Sequence, residues 1–259
     1  MIDAEAWGVG LTGLAAIVAL FTLLWLASLR LRDASIVDPF WGPAFVVAAA
    51  AYVLAGGSLT TRGAVVLAIL AIWAIRLGVH IYTRNRGHGE DPRYQVFRRQ
   101  AGNAFWWVSF FRVFLLQAVL AWIISAPLLA AVRANVPLGA LDVLGLAIWA
   151  AGLAIEAIGD LQLRRFRADP ASKGRVLRSG LWAWTRHPNY FGEALLWWGY
   201  YVIAAGAGGW WTVFAPALMT FLLVRVSGVA LLERGLAERR PGYTEYIRDV
   251  PSFIPRPPR

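Results

Sequence analysis

The sequence predicts an all-α integral membrane protein, a bundle of seven transmembrane helices. Of its 259 residues, 59% are hydrophobic, and the mean hydropathy is +0.55. A soluble core of this length could not cover so much apolar surface, so lipid must be part of the solvent. The apolar residues fall into seven stretches, each close to the roughly 20 residues that a helix needs to cross a bilayer. These stretches are residues 6–29, 36–54, 63–82, 105–129, 138–163, 190–205 and 210–232.

Lys and Arg residues are concentrated on one side of this arrangement. The connections after the first, third and fifth stretches, together with the C-terminal tail, hold 20 of the 25. The connections after the second and fourth stretches hold only Arg62 and Arg133. Because basic connections stay in the cytoplasm, the pattern places the N-terminus outside and the C-terminus inside. We expect a multi-pass protein of a bacterial inner membrane.

Composition also limits the chemistry. The net charge of +10 comes from basic residues between apolar stretches, which encode membrane topology, so we expect no nucleic acid partner. The chain has no cysteine and only three dispersed histidines, so we expect no disulfide, no thiolate nucleophile and no metal site. The chemistry must therefore use oxygen and nitrogen groups.

The second and third stretches carry the first candidate site residues. Asp38 lies just inside the second stretch, where loss of water would favour a neutral carboxyl that can donate a hydrogen bond or a proton. The alternative is that Asp38 caps a helix that starts at Pro39. Arg76 and His80 share one face of the third helix, with Tyr82 nearby, and they either line a substrate cavity or brace Asp38.

The loop after the third stretch mixes charges of both signs. It holds Glu90, Asp91, Arg93 and Tyr94. Two roles remain open for this loop: it closes over a cofactor, or it is solvated surface.

The segment TRHPNYFGE, residues 185–193, is the most specific motif. Proline favours the first turn of a helix, so the sixth helix should start at Pro188, with His187 in an extended conformation. The free N–H groups of that helix start, together with Arg186 and His187, would form a pocket for a phosphate or a carboxylate.

Neighbouring side chains suit the rest of a nucleotide. Asn189 and Glu193 lie one turn apart and could bind an amide or a ribose. Tyr190 and Trp182 offer flat surfaces for a base. The alternative is an ordinary membrane helix start that carries interfacial polar and aromatic residues.

Two acidic residues, Glu156 and Asp160, share one face near the end of the fifth stretch. They either bind hydroxyl and amide groups of a ligand or pair with Arg164 and Arg167 as a structural lock. The basic residues of the loop that follows would suit a polyanion such as a nucleotide diphosphate, and anionic lipid headgroups are the alternative. These residues are Arg164, Arg165, Arg167, Lys173, Arg175, Arg178 and Arg186.

An arginine in the seventh stretch is costly in lipid. We therefore expect Arg225 to face the bundle and a carboxylate, which is Glu193, Glu233 or part of a ligand. Structural pairing remains an equal alternative. The tail continues to Tyr243 and Tyr246.

Together these motifs resemble the steroid 5α-reductase superfamily, and most closely its bacterial and plant branch of uncharacterised seven-helix membrane proteins. The resemblance covers nearly the whole chain. It rests on SIVDPFWG, GEDPRYQVFR, the pair of Glu156 and Asp160, GLWAWTRHPNYFGE and the tail ERGLAERRPGYTEYIRDVPSFIPR.

The resemblance implies a single membrane domain with two parts. Residues 136–259 would bind NADPH, and residues 1–135 would enclose a lipophilic enone. Asp160, Arg167, Asn189, Glu193 and Arg225 match cofactor-contacting positions of the superfamily, and Glu156 stands where those enzymes tend to have asparagine. The full set of expected cofactor-binding residues adds Arg164, Arg178, Trp182, Arg186, His187, Tyr190, Glu233, Tyr243 and Tyr246.

The sequence differs from the superfamily pattern at positions that would bind the substrate. The superfamily pairs a glutamate on the second helix with a tyrosine on the third. Asp38 is the counterpart of the glutamate, but Ala74 occupies the tyrosine position. We expect neutral Asp38 or Tyr82 to be the proton donor, supported by Arg76 or His80.

The predicted function is therefore NADPH-dependent reduction of a conjugated C=C bond in a lipophilic enone, by hydride transfer to the β-carbon with stabilisation of the enolate. One alternative is an S-adenosylmethionine-dependent methyltransferase of the isoprenylcysteine carboxyl type, which shares an RHP-Y element and a tyrosine-rich tail. The basic loop favours NADPH, because S-adenosylmethionine carries no phosphate. The other alternative is a non-catalytic lipid-binding membrane protein.

Overall fold

The computed structural model describes residues 4–226, 233 and 242–258. Across these residues the chain is helical and contains no strand. It divides into two compact units, Met1–Leu138 and Gly139–Arg259, which we call unit 1 and unit 2.

Unit 1 consists of three long apolar helices and several shorter helical segments. Thr60 caps α3, because its hydroxyl accepts a hydrogen bond from the Gly63 N–H, and Asp91 caps α4 in the same way. A 3₁₀ segment, Ala34–Phe40, precedes α2, and a π-helical turn, Phe110–Leu115, joins α5 to α6. The helices are α1 (Ala4–Leu31), α2 (Trp41–Gly56), α3 (Thr61–Asn85), α4 (Pro92–Ala101), α5 (Phe105–Ser109), α6 (Leu116–Ile124) and α7 (Ala126–Arg133).

Unit 2 contains one long helix and a largely buried partner. The helices are α8 (Ala140–Ala168), α9 (Pro188–Gly206), α10 (Phe214–Phe221) and α11 (Tyr243–Asp249). A π-helical turn, Leu222–Val226, follows α10. The predicted start of the sixth helix is confirmed, since α9 begins at Pro188.

Among the described residues, five helical segments are long and apolar enough to cross a membrane, which supports a multi-pass membrane protein. They are Ala4–Leu31, Ala34–Gly56, Thr61–Asn85, Pro92–Ile124 and Ala140–Ala168. The sixth predicted stretch forms α9, which is not among these five. The seventh corresponds to the shorter apolar segment Trp210–Val226, and residues 227–232 lie outside the described residues. Seven spans and the sidedness of the termini stay predictions.

Helices α8 and α9 pack backbone against backbone along two rows of glycine. A Cβ atom added at Gly152 would lie 2.5 Å from the backbone nitrogen of Leu196, and one added at Gly199 would lie 2.7 Å from that of Trp149. A spacing of seven residues keeps each row on one face of its helix. In lipid the hydrophobic effect does not bring helices together, and small residues let them pack closely. The rows are Gly145, Gly152 and Gly159 on α8, and Gly192, Gly199 and Gly206 on α9.

We predict that Gly152→Ala destabilises the protein by about 1–3 kcal/mol, the usual cost of overpacking. The added methyl group would meet backbone atoms of α9, which cannot rotate away as a side chain can. Gly8→Ala is the matched control, because Gly8 is also helical and a Cβ there has nothing within 4 Å. The measurement is the thermal unfolding midpoint in detergent. Equal midpoints for the two variants would show that the helices are not held this closely.

Candidate functional site

Unit 1 holds a carboxylate, a phenol and a guanidinium in one hydrogen-bonded cluster. The Tyr94 hydroxyl donates to Asp38 Oδ1 at 2.6 Å, and Arg93 Nη2 donates to Asp38 Oδ2 at 2.8 Å. Tyr94 is buried, and the Asp38 side chain is 14% exposed. Helix α2 starts at Trp41, and its N-cap residue is Phe40, which makes no side-chain capping bond. The capping alternative for Asp38 is therefore wrong.

The loop before α4 fixes this cluster to the 3₁₀ segment. Glu90 accepts hydrogen bonds from the Ala34 N–H at 2.8 Å and from Arg98 at 2.7 and 2.9 Å. Burial raises the pKa of Glu90, but the hydrogen bonds from Arg98 and Ala34 outweigh burial and hold that pKa below its usual value. The mixed-charge loop therefore connects the 3₁₀ segment to α4 within unit 1, and it is not free solvated surface.

The residues predicted on α3 differ in their burial. Arg76 and His80 are half-buried, and Tyr82 is 56% exposed near the end of α3. The hydroxyl that bonds Asp38 belongs to Tyr94, which sequence analysis placed only in a loop. The signal was present in DPRY, because Pro92 at a helix start puts Tyr94 in the first turn of α4.

In unit 2 the predicted acidic pair lies against the start of α9. Asn189 Nδ2 donates to Asp160 Oδ1 at 3.0 Å, and Asp160, Glu156 and Glu193 are all buried. Gly159 packs beside them, since a Cβ there would lie 3.2 Å from the Asn189 nitrogen. Asn189 Oδ1 is buried and accepts no hydrogen bond from any described residue. The site therefore contains an acceptor oxygen for a ligand N–H or O–H.

Arg186 and His187 bind a carboxylate that the chain itself supplies. Arg186 contacts Glu233 through Nε at 2.7 Å and Nη2 at 3.0 Å, and His187 Nε2 lies 3.0 Å from Glu233 Oε1. Arg186 and His187 are buried. Burial raises the pKa of Glu233, but hydrogen bonds from His187 and Arg186 outweigh burial and lower that pKa to about 2. The predicted anion pocket is thus occupied by Glu233.

The C-terminal tail is bound to the same segment through the backbone. Arg186 Nη1 donates to the carbonyls of Ile247 and Val250, and the Arg186 N–H donates to Pro251 O at 2.9 Å. Thr185 Oγ1 donates to Phe253 O at 2.9 Å. The TRHP motif therefore anchors the tail beside the start of α9.

The expected aromatic surfaces for a base are mostly packed inside. Tyr246 donates to Trp182 O at 2.7 Å, and Trp182 Nε1 donates to Gly159 O at 3.1 Å. Tyr243 and Tyr246 form a small core with Val250. Tyr190 is half-buried and stacks on the His187 ring, with centroids 5.7 Å apart.

The remaining predicted cations lie at the surface. Arg225 is exposed rather than turned toward Glu233, whose carboxylate binds Arg186 and His187. Arg178 is partly exposed and pairs with Asp249 at 2.6 Å. Arg164 and Arg167 are exposed on the last turns of α8. Across the described ranges, no group of three or more His, Asp or Glu residues could hold a metal ion.

Comparison with known proteins gives a family and a distant relative. The family described as Protein of unknown function (DUF1295) matches residues 24–250. The uncharacterized protein C594.04c of Schizosaccharomyces pombe is 27% identical over 278 residues, which cover 94% of this chain and 79% of the relative. No solved structure matches the chain. The family match extends over both units and names no reaction.

We predict that Glu233→Gln loosens the tail, because buried Arg186 would lose its carboxylate. The expected loss is about 2 kcal/mol, below the range for fully buried pairs since the Glu233 side chain is 19% exposed. The pKa of Glu233 is depressed to about 2 from 4.5, so its contribution is complete above pH 4.5 and disappears as the pH falls toward 2. Hydrogen exchange of residues 243–256 measures the effect.

Glu245→Gln is the control for this prediction. Glu245 is exposed on α11, so its replacement removes the same charge without touching Arg186. Tail amides that exchange equally fast in wild type and Glu233→Gln would contradict the anchoring role.

Proposed function

We propose that this chain, which belongs to the DUF1295 family of proteins of unknown function, is a membrane-embedded NADPH-dependent reductase of a conjugated C=C bond in a lipophilic enone. The observation that carries the proposal is the 2.6 Å hydrogen bond between Tyr94 and Asp38. A phenol held by a carboxyl group in an apolar unit is a suitable donor to an oxygen on which negative charge develops. The reaction type comes from the resemblance to the steroid 5α-reductase superfamily.

The donors and acceptors of unit 2 fit a phosphorylated nucleotide. Asn189 Oδ1 is a buried acceptor without a described donor, as an amide or ribose hydroxyl would require. Arg164, Arg165 and Lys173 are exposed on and after the last turn of α8, where they would bind phosphates. Arg186 already binds Glu233, so we expect the loop after α8 to bind the phosphates rather than the RHP motif. When bound, NADPH would supply the hydride that reduces the β-carbon.

Asp38, Tyr94 and Arg93 would together deliver the proton. In this structure the Tyr94 hydroxyl donates its hydrogen bond to Asp38, so the same proton is not available to a ligand. When Asp38 is protonated, its hydroxyl can donate to Tyr94, and the Tyr94 proton can then bond the carbonyl oxygen of the enone. Transfer along this path protonates the oxygen and leaves an ionised Asp38. Arg93, which already contacts Asp38 at 2.8 Å, stabilises that carboxylate.

The basic loop after α8 also bears on the methyltransferase alternative. S-adenosylmethionine carries a sulfonium cation, a single carboxylate and no phosphate, so Arg164, Arg165 and Lys173 would attract it less than they would attract a diphosphate. NADPH carries a diphosphate and a 2′-phosphate, which match these cations. Charge complementarity therefore favours the dinucleotide.

We predict that the purified protein binds NADPH, and that Asn189→Ala weakens this binding about tenfold by removing one hydrogen-bond acceptor and the bond to Asp160. Calorimetric titration of NADPH and, separately, of S-adenosylmethionine measures both affinities. Asn103→Ala is the control, because Asn103 is exposed in unit 1. Binding of S-adenosylmethionine without binding of NADPH would overturn the proposal.

We predict that Tyr94→Phe and Asp38→Asn lower kcat by about 10²–10⁴, the usual contribution of a general acid. The assay follows the loss of NADPH absorbance with a sterol enone and with a linear long-chain enone. NADPH affinity and the unfolding midpoint should stay unchanged, which separates lost chemistry from lost structure. Tyr82→Phe is the control, since Tyr82 is 56% exposed. Full activity in Tyr94→Phe with loss in Tyr82→Phe would make Tyr82 the donor.

A further inference from the structure

Unit 1 has an open hollow of about 380 Å³ on its surface, formed where α4 approaches α5 and the π-helical turn. Its wall is aromatic and aliphatic, with an amide and a guanidinium at one side. The lining includes Phe97, Gln100, Trp107, Val108, Phe111 and Arg112. Neither the Asp38 cluster nor the start of α9 contributes to it.

The π-helical turn contributes Phe111 and Arg112 to the lining of the hollow. Residues Phe110–Leu115 have this conformation between two α-helical segments, α5 and α6. A π-helical turn holds an extra residue and often marks a functional site. Trp107 and Phe111 contact edge to face, with ring centroids 6.4 Å apart, and form one wall.

Arg112 lacks a compensating charge. It is exposed, and in the described part of the chain it makes no hydrogen bond and no ion pair. It lies within the membrane-spanning segment Pro92–Ile124. A guanidinium exposed to lipid is costly, and its long side chain lowers that cost by reaching toward the headgroup region. An anion at the headgroup level would compensate the charge.

We propose that this hollow binds an anionic glycerophospholipid. The lipid phosphate would bond Arg112 and the Gln100 amide, and an acyl chain would lie against Trp107 and Phe111. The apolar wall and the position of Arg112 within a membrane span favour a phospholipid over a soluble anion. No carboxylate lines the hollow, so its charge complements a phosphate. The site is independent of the proposed reductase activity.

The test is native mass spectrometry of the full-length protein with phosphatidylglycerol and phosphatidylcholine of identical acyl chains. Wild type should bind phosphatidylglycerol about fivefold more tightly, as expected for one arginine near the membrane surface. Arg112→Gln should abolish this preference, and Arg112→Lys should keep most of it. Arg99→Gln is the matched control, since Arg99 is exposed on α4 outside the hollow. Trp107→Ala should weaken binding of both lipids.

Three results would overturn the site. Wild type with no preference for phosphatidylglycerol would show that Arg112 recognises no headgroup. Equal loss in Arg112→Gln and Arg99→Gln would indicate general surface charge. Displacement of phosphatidylglycerol by millimolar glycerol 3-phosphate would show that a soluble anion is sufficient and that the acyl chain is not recognised.

Discussion

The close approach of α8 and α9 determines where Asp160 and Asn189 of unit 2 lie. At Gly152 and Gly192 the two backbones are so close that a methyl group has no space, since an added Cβ would lie 2.5 Å from a backbone nitrogen at either position. The same contact continues to Gly159, which lies against Pro188 and Asn189. The 3.0 Å bond from Asn189 to Asp160 depends on this spacing. A wider separation would break that bond and expose Asn189 and Asp160 to water.

This packing also explains how the buried carboxyl group of Asp160 is tolerated. Glu156 and Asp160 are both buried, with exposed fractions of 2% and 6%. Buried carboxyl groups are stable when hydrogen-bond donors reach them. Close backbones bring the amide of Asn189 within reach of Asp160, and glycine at the contact lets the two backbones approach. The glycine rows therefore support both the helix pair and its polar site.

Part of this arrangement could be predicted from local sequence. Pro188 fixed the start of α9, and the four-residue spacing of Glu156 and Asp160 placed both on one face of α8. Contacts between distant segments could not be predicted. Glu233 reaches Arg186 from 47 residues away, because the tail folds back. Tyr94 reaches Asp38 from 56 residues away, because the loop before α4 is hydrogen-bonded to the 3₁₀ segment through Glu90. The glycine rows were not predicted either, although the seven-residue spacing of their members is visible in the sequence.

Two of the pairs between an arginine and a carboxylate, Arg186–Glu233 and Arg93–Asp38, differ in a way that bears on function. Arg186 and Glu233 are 8% and 19% exposed at the side chain, and Arg186 also binds tail carbonyls, so this pair costs much to break. Arg93 is 44% exposed and shares its guanidinium between Asp38 and Asp91, so its contact with Asp38 can be exchanged at low cost. A ligand can therefore compete for Asp38 and Tyr94 but not for Arg186. By this argument the RHP motif maintains the fold of unit 2, while the proposed proton chemistry belongs to the exchangeable cluster in unit 1.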